Sequence, residues 1–598
     1  MNDQTRSQLP VVALAATMIA AFVVYAQLAA TVDVPRVHPD ELRYALAGSS
    51  VADLEGVLNR GVRSGFGPVH AALLASMLFV TGDRETAYPL WKALNVLLFV
   101  LSAIPLYLLA RRLVAPWWSV LATGLSLAIP SAIYVSVVMT ESASFFAACW
   151  AMFAIVFAIE RPSVGRQLAA VATIAVATAT RSQFAVLFVA FVAGLVGNWA
   201  LARDRSPLGE EVRRLWPTLG VIALAALAFL ARPLVTWSSP SESLGPYRDL
   251  WTGYDPLQVA KWTLYHAADL ELYLAVVPFA VAPIVLQRMF ARAREGARQH
   301  GAFAVSFVTV NLAFLLIAGA FSSLPYGYDR LHDRYLFYVV PLWLIAFVVW
   351  LADGLPRPLV ALALGVGVAL VLPAILPFRQ LANEAGVDTV PGALWVWVEG
   401  EAGAVDVSAR ALMAAFVLAL LAGAVLLPRR IWPALPVAVL AVFVATSVLA
   451  WDRMIGAPED AVYAGDLERT WIDDNVPPDA RVRKLYIESP RCGTSALTRH
   501  ALFLTEFFND SIDRAAYIGD SVPDGIPIDR VDLMDGALVI ESGDPLVADY
   551  VFTQPGIELN GEEVATGTNA NLVLWRVGGP VRVTNARTNE DVRTVDCA

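Results

Sequence analysis

Apolar segments of about 20 residues recur along this chain from its N-terminus to about Ala450 and then stop. A helix of that length is needed to cross the hydrocarbon core of a bilayer. Hydrophobic residues make up 57% of the chain and charged residues 16%, and the mean hydropathy is +0.59. Soluble domains are less apolar and more charged than this. We therefore expect a polytopic α-helical membrane protein with a polar C-terminal region.

Arginine-rich loops occur at every second connection between the apolar segments, and short basic loops stay in the cytoplasm. This alternation predicts a multi-pass protein of the plasma (inner) membrane with a cytoplasmic N-terminus. The run from Val11 to Val32 is interpreted as a retained helix, because it is long enough to span and further spans follow. Thirteen spans are predicted, at about residues 11–31, 86–110, 114–138, 142–160, 167–180, 183–202, 217–236, 270–287, 301–320, 335–352, 357–375, 408–427 and 432–450.

One apolar segment is left out of this count. Pro68 to Gly82 has about 15 residues, which is short for a span, and is predicted to be interfacial or re-entrant. Counting it would also place the arginine clusters outside, against the charge rule. The predicted division is therefore a membrane domain at 1–450 and an extracytoplasmic accessory domain at 451–598.

The region after residue 450 is acidic, with 26 Asp and Glu against 13 Lys and Arg, which argues against a nucleic acid partner. Alternating stretches predict strands at "ARVRKLYIES", "ADYVFTQP" and "NLVLWRV", and "DLERTWIDDNV" predicts a helix ended by Pro477. The expected domain is mixed α/β. Its two cysteines, Cys492 and Cys597, either form a disulfide or are placed by chance.

The stretch "HPDELRY" places Asp40 and Glu41 side by side at the outer end of the first span. Adjacent carboxylates repel each other, so one of them is expected to have a raised pKa or to share a cation. Either state suits a general base or a metal ligand. The alternative is an ordinary solvated helix end.

Two further charges lie close to the apolar segments on the same predicted side. Glu141 follows "VVMT" in a very short outer turn, and a charge at that depth usually faces a cavity. Arg181, in "ATATRSQ", lies in the outer turn of a helical hairpin, where it either binds a phosphate or extends toward the membrane surface.

The chain from Trp237 to Leu270 is predicted to be an aromatic-rich loop whose rings either form an interfacial belt or stack on sugar faces. Trp251 and Tyr254 are its candidates for sugar contact. The next polar stretch, "YGYDRLHDRYLFY", precedes an outer-to-inner span. Two arginines at a helix N-terminus favour phosphate binding. The candidates here are Arg330, His332, Arg334 and Tyr335.

The order of "HPDELRY", "GPVHAALL", "YLLARRL", "PSAIYVSVVMTE", "ATATRSQ" and "DRYLFYVVPL" resembles membrane glycosyltransferases of the GT-C fold. The likeness is greatest to the family 39 group, which includes protein O-mannosyltransferases and lipid A aminoarabinose transferases. It covers about residues 10 to 450. Such enzymes transfer a sugar from a polyprenyl-phosphate carrier to an acceptor at the outer face, usually with inversion.

The resemblance also implies residue roles. Asp40 matches the acidic residue that acts as base or positions the acceptor, and Glu41 completes the pair. Glu141 matches a second catalytic carboxylate, Arg181 a basic residue after threonine, and Arg334 with Tyr335 a late Arg-Tyr pair. Donor phosphate binding is thus predicted for Arg181, Arg330, Arg334 and Tyr335, and acceptor or sugar contact for His38, Trp251, Tyr254 and His332.

The expected partners are a polyprenyl-phosphate sugar donor, membrane lipid and an envelope glycan or protein acceptor. A divalent metal ion is an open cofactor prediction, with Asp40 and Glu141 as its first candidate ligands. The competing prediction is a lipid or glycan transporter whose outward charges line a pathway. Transporters usually contain internal repeats and broken helices, and neither is evident in the sequence.

Overall fold

The computed structural model describes residues 3–65, 67–201, 207–236, 253–327, 329–377, 389–404, 408–426, 428–456, 468–488, 496–519, 526–568 and 570–595. The chain divides into two compact units. The first unit comprises Met1–Tyr25, Val96–Tyr134 and Thr140–Arg453, and the second comprises Ala26–Asn95, Val135–Met139 and Met454–Ala598.

Helices account for nearly all of the apolar part of the chain. They are α1 (Asp3–Ala30), α2 (Asp40–Ala52), α3 (Pro68–Thr81), α4 (Arg84–Leu101), α5 (Ala103–Ala110), α6 (Pro116–Leu127), α7 (Glu141–Glu160), α8 (Val164–Thr180), α9 (Val186–Leu201), α10 (Leu208–Arg214), α11 (Trp216–Thr236), α12 (Pro256–Tyr273), α13 (Val277–Arg294), α14 (Arg298–Ser322), α15 (Val340–Ala352), α16 (Leu359–Ile375), α17 (Gly392–Ala404), α18 (Ala409–Leu426) and α19 (Ala434–Trp451).

Among the described residues, six helical segments are long and apolar enough to cross a membrane: Gln8–Ala30, Arg84–Ala110, Glu141–Glu160, Ser182–Leu201, Arg298–Ser322 and Ala434–Ile455. Two bent helix pairs raise the number to eight if each pair counts as one span. Other predicted spans correspond to apolar helices of 10–17 residues. The protein is a multi-pass membrane protein, and the predicted count of thirteen spans is not confirmed.

The predicted span at 270–287 is not one continuous helix, because the chain bends there by 104° between α12 and α13. Ala275 and Val276 at the bend have positive φ angles of 53° and 65°. Pro278 is the second residue of the next helix, α13, since a proline fits the first helical turn but would break a continuing helix. The predicted loop up to Leu270 is also corrected, because Pro256–Tyr273 is helical, with Asp255 as its N-cap.

Glycines let helices of the first unit approach closely. A Cβ at Gly365 of α16 would lie 1.9 Å from the carbonyl oxygen of Ala280 in α13. A Cβ at Gly319 of α14 would lie 2.3 Å from Oγ1 of Thr263 in α12. Small residues at such crossings are the usual means of packing helices in membranes, where burial of apolar surface gives no drive for association.

The second unit is built on a seven-stranded sheet of order β6-β5-β4-β3-β7-β9-β8. Its strands are β3 (Val482–Ile487), β4 (Ile512–Ile518), β5 (Asp529–Met534), β6 (Ala537–Ile540), β7 (Val547–Thr553), β8 (Glu562–Thr566) and β9 (Val573–Pro580), with helices α20 (Ala496–Phe508) and α21 (Asn589–Arg593). Strands β5, β4, β3 and β7 are parallel, and β6, β9 and β8 are antiparallel to their neighbours.

The three strands predicted in the tail are confirmed as β3, β7 and β9. The predicted helix before Pro477 is wrong over its described part, where only a 3-10 turn forms at Asp473–Asn475. A distant segment stabilises this turn, because the carboxylate of Asp473 accepts hydrogen bonds from the backbone N–H groups of Asp510 and Ser511. The carboxylate therefore binds the chain before β4 instead of supporting a helix.

Elements far away in sequence complete the second unit. They are α2, the small antiparallel hairpin β1 (Leu58–Asn59) and β2 (Val62–Arg63), and α3. Helix α3 covers the short segment that the sequence predicts to be interfacial or re-entrant, and Gly82 caps its C-terminus in the left-handed conformation. It has 14 residues.

Candidate active site

Glu141 is the first residue of α7 and its side chain is completely buried in the first unit. The helix has 20 residues and is apolar on all faces, as expected for a helix enclosed by other helices. A carboxylate at the N-terminus of such a helix is favoured by the helix dipole. Burial nevertheless requires positively charged or hydrogen-bonding partners for the carboxylate.

Two arginines supply those partners. Nη1 of Arg181 donates to Oε1 of Glu141 at 2.5 Å, and Nε of Arg334 donates to the same oxygen. Arg181 follows the last residue of α8, and Arg334 lies in a 3-10 turn at Asp333–Tyr335. The structure therefore brings together three residues that the sequence singled out separately.

Two tyrosines complete this group, which we call the Glu141 cluster (Glu141, Arg181, Arg334, Tyr335 and Tyr338). The guanidinium of Arg181 lies 5.0 Å from the ring centre of Tyr335, a cation–π contact. Nη1 of Arg181 also donates to the hydroxyl of Tyr338 at 3.2 Å. Tyr338 was missed by sequence reasoning, although its position four residues after Arg334 was a usable signal.

The Glu141 cluster has two guanidinium groups for one carboxylate. Oε2 of Glu141 accepts no hydrogen bond from any described residue. The exposed fractions of the Arg181 and Arg334 side chains are 15% and 7%. Two largely buried guanidinium groups at one place are suited to an anion, because guanidinium forks match a phosphate.

His332 is buried and immediately precedes the 3-10 turn at Asp333–Tyr335 that carries Arg334. Its ring nitrogen Nε2 lies 3.0 Å from the carbonyl oxygen of Gly327, and its backbone N–H donates to Nε2 of His266 at 3.1 Å. Because Nε2 of His266 is the acceptor in this bond, the ring proton of His266 lies on Nδ1. Nδ1 donates it to the carbonyl oxygen of Trp262 at 2.7 Å. These contacts connect His332, and with it the turn that carries Arg334, to α12. The sequence did not reveal this role of His266.

The other predicted contacts of this region have different outcomes. Arg330 is half-buried and lies three residues before the 3-10 turn at Asp333–Tyr335. Tyr254 is half-buried and lies just before α12. Trp251 lies outside the described residues. The predicted phosphate or sugar contacts of these residues stay predictions.

Asp40 and Glu41 open helix α2 in the second unit and have different surroundings. The side chain of Asp40 is 24% exposed, and it lies 3.6 Å from Nη1 of Arg43. Glu41 is fully buried. Its Oε1 accepts from the backbone N–H groups of Arg36 and Val37 at 2.7 and 2.8 Å, and its Oε2 accepts from Val138 at 2.6 Å.

Burial raises the pKa of Glu41 to about 7, although the three N–H donors act in the opposite direction. One raised pKa in this pair was predicted, but its largest cause is burial and not repulsion by Asp40. Because both oxygens of Glu41 bind backbone amides, this side chain holds the loop before Asp40 in place. Its geometry does not favour direct contact with a substrate.

His38 is packed inside the second unit. Its ring is stacked on Phe503 at 5.0 Å between centroids and lies 5.4 Å from the ring of His500. Burial lowers the pKa of His38 to about 3, with help from the nearby charges of His500 and Lys484. The ring is therefore neutral at physiological pH, and the contact with acceptor or sugar stays a prediction.

Solved structures with a similar fold include ArnT from Cupriavidus metallidurans. Its apo structure has 17% identity and a TM-score of 0.51, with 96% of this chain and 100% of that chain covered. Its structure bound to undecaprenyl phosphate has 17% identity and a TM-score of 0.53, covering 96% and 99%. The chain matches no family model and no curated protein. This protein has the GT-C fold.

The prediction of a divalent metal ion stays a prediction. Within the described ranges, no group of three or more His, Cys, Asp or Glu side chains is placed to hold a metal ion. Glu141 is bound by two arginines, whose charges oppose a cation. Cys149 is a buried free thiol, and Cys492 and Cys597 lie outside the described residues.

Proposed function

We propose that this GT-C protein is a glycosyltransferase that moves a sugar from a polyprenyl-phosphate donor to an acceptor at the outer face of the plasma membrane. The observation that carries the proposal is the convergence of Arg181 and Arg334 on the buried Glu141. The undecaprenyl phosphate bound by ArnT, which has the same fold, supports the donor class.

The charge change in the reaction suits the Glu141 cluster. In an inverting transfer, an acceptor hydroxyl forms a bond to the anomeric carbon while the bond from that carbon to the phosphate oxygen breaks. The phosphate begins with one negative charge as a diester and leaves with a second one. Fixed guanidinium groups stabilise the leaving group more strongly than the substrate, which is the condition for catalysis.

Asp40 is proposed as the base that takes the acceptor proton. It is the more exposed member of the carboxylate pair, whereas Glu41 is fully buried and enclosed by backbone amides. Glu41 is accordingly proposed as a positioning residue that fixes the loop leading to Asp40. Arg330, Tyr335, His38, Trp251, Tyr254 and His332 remain proposed donor, acceptor or sugar contacts.

The test is sugar transfer by the full-length protein in nanodiscs, with a panel of radiolabelled polyprenyl-phosphate sugars and envelope acceptors. Asp40→Asn should abolish transfer while undecaprenyl phosphate still binds. Arg334→Lys, which keeps the charge but loses the guanidinium fork, should weaken undecaprenyl phosphate binding at least tenfold. Arg111→Lys, at an exposed site between α5 and α6, is the matched control and should change neither property.

Two results would contradict the proposal. Near-normal transfer by Asp40→Asn would remove Asp40 as the base, and unchanged lipid binding by Arg334→Lys would remove the phosphate role. Saturable lipid binding without transfer or hydrolysis from any donor would instead favour the transporter alternative.

A further inference from the structure

A cavity of about 670 Å³ lies within the second unit and is separate from the Glu141 cluster. Its walls come from the last turns of α2, the β1–β2 hairpin, the start of α4 and the two segments at 473–481 and 510–514. A volume of this size accommodates a ligand of several hundred daltons.

Two arginines fix the walls of the cavity. Arg60, from the hairpin, binds both oxygens of Glu506 at 2.6 and 2.7 Å. Arg84, at the start of α4, forms an ion pair with Asp510 and donates to the carbonyls of Glu506, Phe507 and Asn509 at 2.8–3.1 Å. The site is therefore preorganised, which reduces the entropy lost when a ligand binds.

Other charged groups on the lining are exposed to the cavity. They are Asp53 and Glu55 after α2, Asp479 before β3 and Arg514 in β4. None of these side chains forms an ion pair with another described residue. Burial raises the pKa of Asp53, and the carboxylates of Glu55 and Asp510 raise it further, against the opposing effect of Arg84.

The lining defines the chemistry of the ligand. Its charged residues are Asp53, Glu55, Asp473, Asp479, Asp510 and Asp513 against Arg60, Arg84, Arg481 and Arg514. The excess of carboxylates disfavours anions, and the density of charge disfavours acyl chains. Carboxylates that accept and guanidinium groups that donate can instead satisfy many hydroxyl groups.

We propose that this cavity binds the saccharide of the acceptor, and that this saccharide is neutral or bears amino groups. The inference rests on the proposed function. Its second support is the position of α2, which begins at Asp40 and reaches the cavity at Leu46, Ser49 and Ser50. Nine helical residues span about 14 Å, roughly the length of a trisaccharide.

Direct binding to the full-length protein in nanodiscs tests the site. The probes are chitosan trisaccharide, maltotriose and tri-galacturonate, followed by saturation-transfer NMR. We expect binding of the first two and at least tenfold weaker binding of the acidic one. The triple variant Glu55→Gln, Asp479→Asn, Arg514→Gln should lose at least tenfold in affinity. Glu541→Gln, an exposed change in the same unit outside the cavity, should lose none.

Kinetics separate this inference from the proposed function. The triple variant should raise the KM for the envelope acceptor and leave slow hydrolysis of the donor by water unchanged. Lipid-linked and water-soluble acceptors are assayed separately to identify what carries the saccharide. An unchanged acceptor KM, no trisaccharide binding, or equal binding of the acidic trisaccharide would overturn the inference. Absence of any donor turnover by the wild type, with trisaccharide binding intact, would instead contradict the proposed function.

Discussion

Single residues of the Glu141 cluster come from distant parts of the chain. Glu141 is 40 residues from Arg181 and 193 residues from Arg334. The sequence identified all three because charges close to the hydrocarbon are expensive and usually functional. It did not reveal that they are partners, since pairing depends on how helices pack. Nor did it reveal Asp269 and Glu271, two buried acids in α12, although acids inside an apolar helix were a usable signal.

Glu41 leads to a prediction about pH. Its pKa rises from 4.5 to about 7 in the folded protein, so the folded state binds the proton more tightly than the unfolded state does. The resulting stabilisation is complete below about pH 4.5 and is lost as the pH rises through 7. We expect the apparent Tm of the wild type to fall between pH 5 and pH 8 relative to that of Glu41→Gln.

The measurement is thermal unfolding of the detergent-solubilised wild type and Glu41→Gln at several pH values. The comparison at each pH cancels other titrating groups, including His38, whose depressed pKa acts in the opposite direction. A difference in Tm that does not vary with pH would show that Glu41 does not titrate in this range.

At the scale of elements, hydropathy predicted where helices occur better than it predicted where one helix ends and the next begins within an apolar run. The apolar run at 270–287 is continuous in composition, yet α12 ends at Tyr273 and α13 starts at Val277. The sequence did contain a signal, because Pro278 lies in the first turn of α13. A window average does not register one proline, and the 104° bend is set by the neighbouring helices.

Helix α16 provides a matched pair of glycines for testing helix packing. An added Cβ at Gly365 would overlap the carbonyl oxygen of Ala280, whereas at Gly367 it would meet nothing within 4 Å. We expect Gly365→Ala to lower the apparent Tm by several degrees because α16 must move away from α13. Gly367→Ala should be neutral or slightly stabilising, since alanine favours helix. Equal Tm values for the two variants would contradict this packing.

At the scale of the whole molecule, the second unit depends on a charge network that joins distant segments. Glu506 of α20 pairs with Arg60, 446 residues away, and with Lys484 of β3 at 2.7 Å. Burial alone would raise the pKa of Glu506, but Arg60 and Lys484 lower it to about 2. The carboxylate is therefore ionised, and it pairs with two buried cations.

Removing that charge tests the network. Glu506→Gln removes the anion that contacts both buried Arg60 and buried Lys484, and we expect a loss of about 3–5 kcal/mol in the free energy of unfolding. Glu562→Gln, which removes an exposed ion pair with Arg576, is the control and should have no measurable effect. Chemical denaturation monitored by tryptophan fluorescence gives both values. Similar stability of the two variants would show that the network is not needed.

The sequence by itself determined the membrane class, the GT-C resemblance, the three tail strands and four of the five residues of the Glu141 cluster. The membrane class and the strands follow from composition and periodicity, which act over a few residues. The GT-C resemblance rests instead on motifs such as "HPDELRY" and "ATATRSQ" and their order in the chain. Only the tertiary structure decided that Glu141 holds both arginines, that Glu41 binds backbone amides and that residues 26–95 pack with the C-terminal sheet in one unit. Those outcomes depend on contacts between segments far apart in sequence, where burial and charge pairing act and local pattern carries no information.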